Sequence, residues 1–334
     1  MYSLPAISLW LLASLSSIIA PTLALPSSPG STDASSISTV FQFDRNGTWF
    51  ENIAVRPNGE ILATRLDVPE VWLINPANNN AKEAGTQLYS FPRATGLLGI
   101  TPIDKDVYAV VTGNFSVPTT TTTPGSYVIW SLDLSGKGQP VAKVLSQLPD
   151  AEFLNGIVPF GKNLLLVTDS AKGVIWRVDR TTGEYSQALT DPTMLPASGQ
   201  PTAVGVNGIN VLGNYVYYTS TTQMLFARIP VDNKASATGP AEIIASGFTP
   251  DDFMLTRDGT AYITTNPQNG LLKVDRHGRV QLVAGNEFKI TVGGSTGVAS
   301  SKNGSVLYVT TSGGQVSPIL CKTIEPAKVV AIHV

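Results

Sequence analysis

The chain has 334 residues, 43% of them hydrophobic, with 24 acidic against 22 basic side chains and one cysteine, Cys321. Charge this sparse and balanced supplies neither a basic stripe for nucleic acid nor a polybasic face for anionic lipid, and a lone cysteine excludes an intramolecular disulfide or a CxxC metal or redox site. Stability must come from an apolar core, and the expected partner is a small apolar organic molecule, not nucleic acid.

Residues 1–24 run through an apolar stretch to Thr22-Leu23-Ala24, a small-x-small site followed by polar Ser, Pro and Gly. This pattern predicts a secretory signal peptide and an extracellular or secretory-pathway protein without stable membrane insertion after cleavage; a membrane anchor is the alternative, disfavoured by the several serines and the short apolar run. Residues 25–37 continue as a flexible Ser/Pro-rich segment, and 38–334 is expected to form the one folded domain. Three sequons, at Asn46, Asn114 and Asn303, suit a secreted glycoprotein.

The folded region opens with an isolated strand, "STVFQF". Six copies of one unit follow, each a short apolar strand, a turn with Gly or Asp, a β-branched or aromatic strand, a second turn and a third strand. They start at Glu51, Gly96, Leu154, Gly205, Pro250 and Ser295 and recur every 45 to 58 residues. That period predicts an all-β, six-bladed propeller. The longest interval holds "SVPTTTTTPGS", a polar insertion in the second unit. "AKVVAIHV" ends the chain as another lone strand, and pairing it with the first would close the ring and remove two exposed edges.

In a propeller the first strand of each blade lies against the axis, so residues at its entrance converge on one channel mouth. Glu51, Asn155, Asn207 and Asp251 occupy that place in units one, three, four and five. In "FENIAV", "FLNGIV", "GVNGIN" and "TPDDFM" the chain resembles the SMP-30/gluconolactonase/LRE-like propellers over nearly its whole mature length. The resemblance implies that these four side chains ligate one divalent cation. One departure stands out: the family's Pro-Asp-Gly is here Pro250-Asp251-Asp252, which adds a carboxylate. "NGTWFENIAVRPNGEILATRL", "TGLLGI", "VTGNFSV", "FLNGI" and "DDF" are similar to a secreted fungal branch, the hetero-Diels-Alderases of tropolone sesquiterpenoid pathways. That resemblance implies joining of a tropolone o-quinone methide to a humulene-type alkene.

Two Asn, one Glu and one Asp form a reasonable oxygen set for Ca²⁺ or a similar cation, which would serve a lactonase; alternatively Asn155 and Asn207 supply turns and the carboxylates cap backbone N–H groups. A cycloaddition has no obligatory cofactor. It asks for an apolar pocket and a few donors: Asn155, Asn207, Asp251 and Asp252 are the catalytic candidates, with Trp49, Phe50, Phe153 and Phe253 as the substrate-binding aromatics. Packing between blades is the other reading of each aromatic. A non-catalytic binding propeller is the third functional class. His277 and His333 lack a G-x-S-x-G elbow and are expected to be structural, and Cys321 is expected to be a buried apolar residue or a disordered-loop thiol without a partner to make it a nucleophile.

Overall fold

In the computed structural model, which describes residues 37–199, 204–320 and 322–334, the chain forms six four-stranded antiparallel sheets plus one two-stranded hairpin. The signal-peptide segment, the Ser/Pro-rich segment up to residue 36 and Cys321 lie outside the described residues. Among the described residues no helix is long and apolar enough to cross a membrane.

Innermost strands are Phe50–Val55, Gly96–Asp104, Leu154–Phe160, Val206–Leu212, Pro250–Leu255 and Ser295–Ser300, which open blades 1 to 6. Each turns back through a residue with positive φ, Gly59 in blade 1 for example, and Asp106 where blade 2 lacks the glycine. The sixth blade is completed from both chain ends: Ile37–Gln42 pairs antiparallel with Lys328–His333 in the register Ile37 to Ile332 through Gln42 to Lys328. Ile37, read from the sequence as the end of a flexible segment, is the first residue of that strand. The polar insertion of blade 2 forms the hairpin, Phe115–Ser116 against Thr121–Thr122.

Apolar side chains gather in six clusters, one between each pair of neighbouring blades. The fold therefore has a ring of cores rather than one, and its axis is left to polar groups. Every innermost strand also carries a β-bulge at the same place, where pairing skips between Phe50 and Ile53, Leu97 and Ile100, Leu154 and Ile157, Val206 and Ile209, Pro250 and Phe253, and Ser295 and Val298. Two inner residues then oppose one residue of the second strand. In five blades the opposing residue is a buried threonine, Thr64, Thr168, Thr219, Thr264 or Thr310; in blade 2 it is Val111.

These threonines join blades. The Thr219 hydroxyl accepts from the Gly208 N–H at 2.8 Å within blade 4 and donates to the Asp251 carbonyl of blade 5 at 2.6 Å. Thr64 does the same between the Asn52 N–H and the Leu98 carbonyl, and Thr264 between the Asp252 N–H and the Thr296 carbonyl. Thr168 donates to the Asn207 carbonyl at 2.5 Å, and Thr296, on the inner strand of blade 6, donates to the Phe50 carbonyl of blade 1 at 2.7 Å; only the junction of blades 2 and 3, where Val111 stands, is without a bridge among the described residues. Removing one such hydroxyl without changing side-chain shape strands a buried N–H and a buried C=O. Thr219→Val should therefore lower unfolding stability by about 1 to 3 kcal/mol while the β-sheet circular dichroism is retained. Chemical denaturation checks this, and an unchanged midpoint would deny the hydroxyl its bridging role.

Candidate active site

The two bulged residues of each blade have different tasks. The first residue, Glu51, Leu98, Asn155, Asn207, Asp251 or Thr296, is buried at the axis. The second is glycine in four blades because the next blade's backbone is too close for a side chain. A Cβ on Gly156 would lie 2.7 Å from the Asn207 carbonyl oxygen, and one on Gly99 2.5 Å from that of Asn155. Blades 1 and 5 carry Asn52 and Asp252 instead. The Asn52 amide donates to Asp252 Oδ2 at 2.8 Å, and a Cβ on Gly208 would fall 2.4 Å from Asp252 Oδ1. The extra carboxylate of Pro250-Asp251-Asp252 is thus paired with Asn52, a residue the sequence offers no reason to single out.

Glu51, Asn155, Asn207 and Asp251 meet on the floor of one cavity of about 640 Å³, within the usual range for a small-molecule site. Asn207 donates to Asp251 Oδ1 at 2.9 Å and to the Thr221 hydroxyl at 3.0 Å; Trp49 donates its indole N–H to Glu51 Oε2 at 2.6 Å. The Asn155 amide lines the cavity with no hydrogen-bond partner among the described residues. Asp252 is not in the lining and sits beneath it with Asn52. A further residue, Asn266, enters from the end of the second strand of blade 5. Its amide N–H approaches Asp251 Oδ2 at 3.3 Å, and its Oδ1 is buried without a partner. A signal for it existed: Asn266 stands two residues beyond the bridging Thr264, as Thr221 and Leu66 of the same cavity stand beyond Thr219 and Thr64.

Three carboxyl groups crowd this region, and burial disfavours their charge. Burial pushes Glu51 up to about 7, with the Trp49 bond opposing and the Asp252 charge adding to the shift. Asp251 is raised well above the carboxylate range by burial, then by Glu51 and Asp252, against the bonds from Asn266 and Asn207. Asp252 reaches about 6, chiefly by burial. A site of this kind either keeps protons at neutral pH or recruits a cation. Among the described residues no group of three or more His, Cys, Asp and Glu is arranged to hold a metal. The donor set of two carboxyl groups and amide oxygens, with an orphaned buried Asn266 Oδ1 beside it, nevertheless has the chemistry of a hard-cation site.

Of the four aromatics singled out from the sequence, two reach the cavity. Trp49 and Phe153 stand two residues before the floor residue of their blade and line the wall. Each is fixed by a buried or half-buried aspartate at the end of the second strand: Trp49 N–H donates to Asp67 at 3.0 Å, and Phe153 N–H to Asp169 at 2.9 Å. Asp169 also takes the Glu152 N–H and the Trp176 indole, which gives this strand-end residue a place in shaping the wall. Phe50 and Phe253 do not belong to the site. Phe50 is fully buried in the cluster between blades 6 and 1, and Phe253 in the one between blades 4 and 5. Phe50 alternates away from Glu51 along the strand; Phe253 would share the side of Asp251, but the bulge inserts a residue and reverses the alternation. His277 lies exposed in a turn, His333 ends the last strand, and neither reaches the cavity.

No family model matches the chain. A Phoma sp protein named as an inferred hetero-Diels-Alderase is 27% identical over 304 residues, covering 79% of this chain and 84% of the relative. A second of that name, from Sarocladium schorii, is 27% identical over 214 residues, 56% of this chain and 52% of the relative. Among solved structures, a gluconolactonase from Xanthomonas campestris superposes with a TM-score of 0.61 at 12% identity, covering 89% of each chain. The sequence relatives thus carry the hetero-Diels-Alderase half of the resemblance read from the chain, and the solved structure shares its propeller fold.

The raised carboxyl groups bind protons more tightly in the folded than in the unfolded chain. Their stabilising contribution is fully present below the unfolded value, near 4.5 for Glu51, and is lost as pH rises through about 6 for Asp252 and about 7 for Glu51. Chelator-treated protein should therefore lose unfolding stability between about pH 4.5 and 7. Glu51→Gln should flatten that slope in urea titrations across the window. Stability that rises through it identically in both proteins would contradict the assignment.

Proposed function

We propose that this chain is a hetero-Diels-Alderase that joins a tropolone o-quinone methide to a humulene-type sesquiterpene alkene. The observation that carries the reading is an apolar wall standing over a floor of carboxyl groups held toward their protonated forms. In the reaction the o-quinone methide contributes its O=C–C=C unit and the alkene two π electrons. New C–O and C–C σ bonds close a dihydropyran ring, and no atom leaves and no oxidant is consumed.

Negative charge grows on the quinone methide oxygen as its carbonyl is converted to an ether. A Glu51 or Asp251 hydroxyl, or the free Asn155 amide, donates a hydrogen bond there, a contribution of about 3 to 4 kcal/mol in a site closed to water. Trp49 and Phe153 hold the hydrocarbon against it. Fixing both reactants in near-attack geometry is the larger contribution, about 7 to 11 kcal/mol. The named relatives support the same class of reaction.

A second reading is favoured by the oxygen donors themselves. Glu51, Asn155, Asn207 and Asp251, with Asn266 Oδ1 beside them, would hold a divalent cation such as Ca²⁺ in a lactonase. When bound, the cation would polarise a lactone carbonyl and acidify a water. Incubating purified protein with an o-quinone methide precursor and a humulene-type alkene, with and without chelator, separates the readings. The first expects protein-dependent rate and stereochemistry that persist with chelator, and a fall of at least about tenfold in Asp251→Leu, the loss of one positioned donor. Metal-dependent lactone opening, with cycloaddition no faster than in buffer, would favour the second.

We also infer that the chain enters the secretory pathway, from residues 1–24 and the sequons. Asn46 and Asn303 are exposed in turns and Asn114 is half-buried beside the blade 2 hairpin. Protein secreted from a fungal host should lose mass on treatment with an N-glycosidase, less so after Asn46→Gln and Asn303→Gln together. An unchanged mass in all cases would remove the glycosylation.

A further inference from the structure

Five consecutive threonines, Thr119 to Thr123, stand between Pro118 and Pro124 at the tip and on the return strand of the hairpin inserted in blade 2. Folding accounts for one of them. Thr120 turns the chain at φ 50°, a left-handed conformation that strains a β-branched side chain and that glycine or asparagine adopts more easily. Thr119 donates its hydroxyl proton to the Ser116 hydroxyl at 2.7 Å, and Thr120 donates to the Thr119 carbonyl at 2.8 Å. These bonds lie in the open, where water replaces them at little cost, and Thr119, Thr120, Thr121 and Thr123 are all exposed.

Thr122 is the exception. It is half-buried, donates to the Glu152 carbonyl at 2.8 Å and contacts the Tyr127 hydroxyl, which ties the hairpin to the entrance of blade 3. Thr120 and Thr121, by contrast, stand beside Phe115 at the lip of the cavity. We propose that the hairpin tip is a site of O-linked glycosylation, at which Thr119, Thr120, Thr121 and Thr123 take hexoses and Thr122 does not. This rests on the secretory reading above, because the transferases that attach O-linked hexoses work in that pathway.

A run of threonines bounded by proline is the composition that carries such sugars, and here the structure displays it on a surface turn. In the transfer the threonine oxygen attacks the anomeric carbon of a glycosyl phosphate donor. The glycosidic C–O bond forms as the bond from that carbon to the phosphate oxygen breaks. The phosphate leaves with the electron pair, and the hydroxyl proton passes to a base of the transferase. The glycosidic oxygen that results still accepts a hydrogen bond but no longer donates one. At the exposed threonines the lost donation falls where water serves instead. At Thr122 it would strip the Glu152 carbonyl of its partner and force a sugar between the hairpin and Tyr127, so the fold selects against that residue. Hexoses on Thr120 and Thr121 form a hydrated collar at the mouth of the cavity, beside the half-buried ring of Phe115.

Peptide mapping of full-length protein expressed in a secreting fungal host tests the assignment. N-glycosidase first clears Asn114, and trypsin then releases residues 106–137, which contain the whole hairpin. That peptide should exceed its bare mass by whole hexose units, and electron-transfer fragmentation should place them on Thr119, Thr120, Thr121 or Thr123 and leave Thr122 bare. Changing those exposed threonines to alanine together should remove the added mass; should that variant not be secreted, Thr120→Ala and Thr121→Ala singly repeat the comparison. A bare peptide from protein that has reached the medium and lost residues 1–24 would overturn the sugars and keep the secretory reading. Hexose confined to residues 25–36, or carried by Thr122, would overturn the assignment in the same way. Protein held in the cell with residues 1–24 intact would reject the secretory reading and this site with it.

Discussion

One hydroxyl group, repeated around the ring, sets the geometry on which the rest of this propeller depends. At the bulges of blades 1, 4 and 5 the backbone N–H of the second bulged residue is taken by the threonine opposite, which gives its own proton to the next blade's carbonyl. The net gain from each bond is small, about 1 kcal/mol, but an unmade bond would leave buried polar groups in a place that water does not enter. Apolar packing between blades supplies the bulk of the stabilisation and is indifferent to small rotations. The hydroxyl bridges are directional and fix how each blade meets its neighbour near the axis. Where blade 2 substitutes Val111, the contact to blade 3 is apolar and that side of the ring belongs to the largest cluster.

The same bulge decides what the axis displays. It turns one residue of each inner strand toward the channel and the following one toward the adjacent blade, where only glycine fits in four blades of six. Glu51, Asn155, Asn207 and Asp251 are thereby held on rigid strands rather than on loops, and their neighbours Trp49 and Phe153 rise from the strand entrances as wall. Asn52 and Asp252 fill the two places without glycine and bond to each other, which gives the cavity a polar floor beneath its floor.

Electrostatics follow from this crowding. The buried cations nearest in character to a counterion are committed elsewhere: Arg65 pairs with Asp67 and Glu70 and lies over the Phe43 ring, and Lys328 pairs with Glu325. Among the described residues no positive side chain offsets Glu51, Asp251 and Asp252, so the site satisfies itself with protons or with a bound cation. Either state supplies an electron-poor group facing an apolar wall, suited to a substrate oxygen that gains charge during reaction. The chemistry of the floor is therefore compatible with more than one reaction.

The six-fold repeat, the closing strands and the axial quartet were legible in the chain because each depends on local pattern: strand periodicity, a glycine or aspartate at a turn, and an acidic or amide residue at one place in the unit. The inner-strand starts fall at or within one residue of those read from the repeat. Aromatic roles were half legible. Trp49 and Phe153 line the cavity, whereas Phe50 and Phe253 pack between blades, since a one-residue bulge exchanges the two sides of a strand and leaves no mark in hydrophobic alternation. Asn52 was invisible because it faces a partner 200 positions away, whereas Asn266 left a signal in its place two residues beyond Thr264, equivalent to Thr221 and Leu66, that becomes readable only once the bridging threonines are known. Sequence alone determined the architecture and the chemical character of the axial floor, because those follow from repeated local spacing. Which side chains face the cavity and which carboxyls crowd together were decided only when six blades closed into a ring, since each is a relation between residues that the chain keeps far apart.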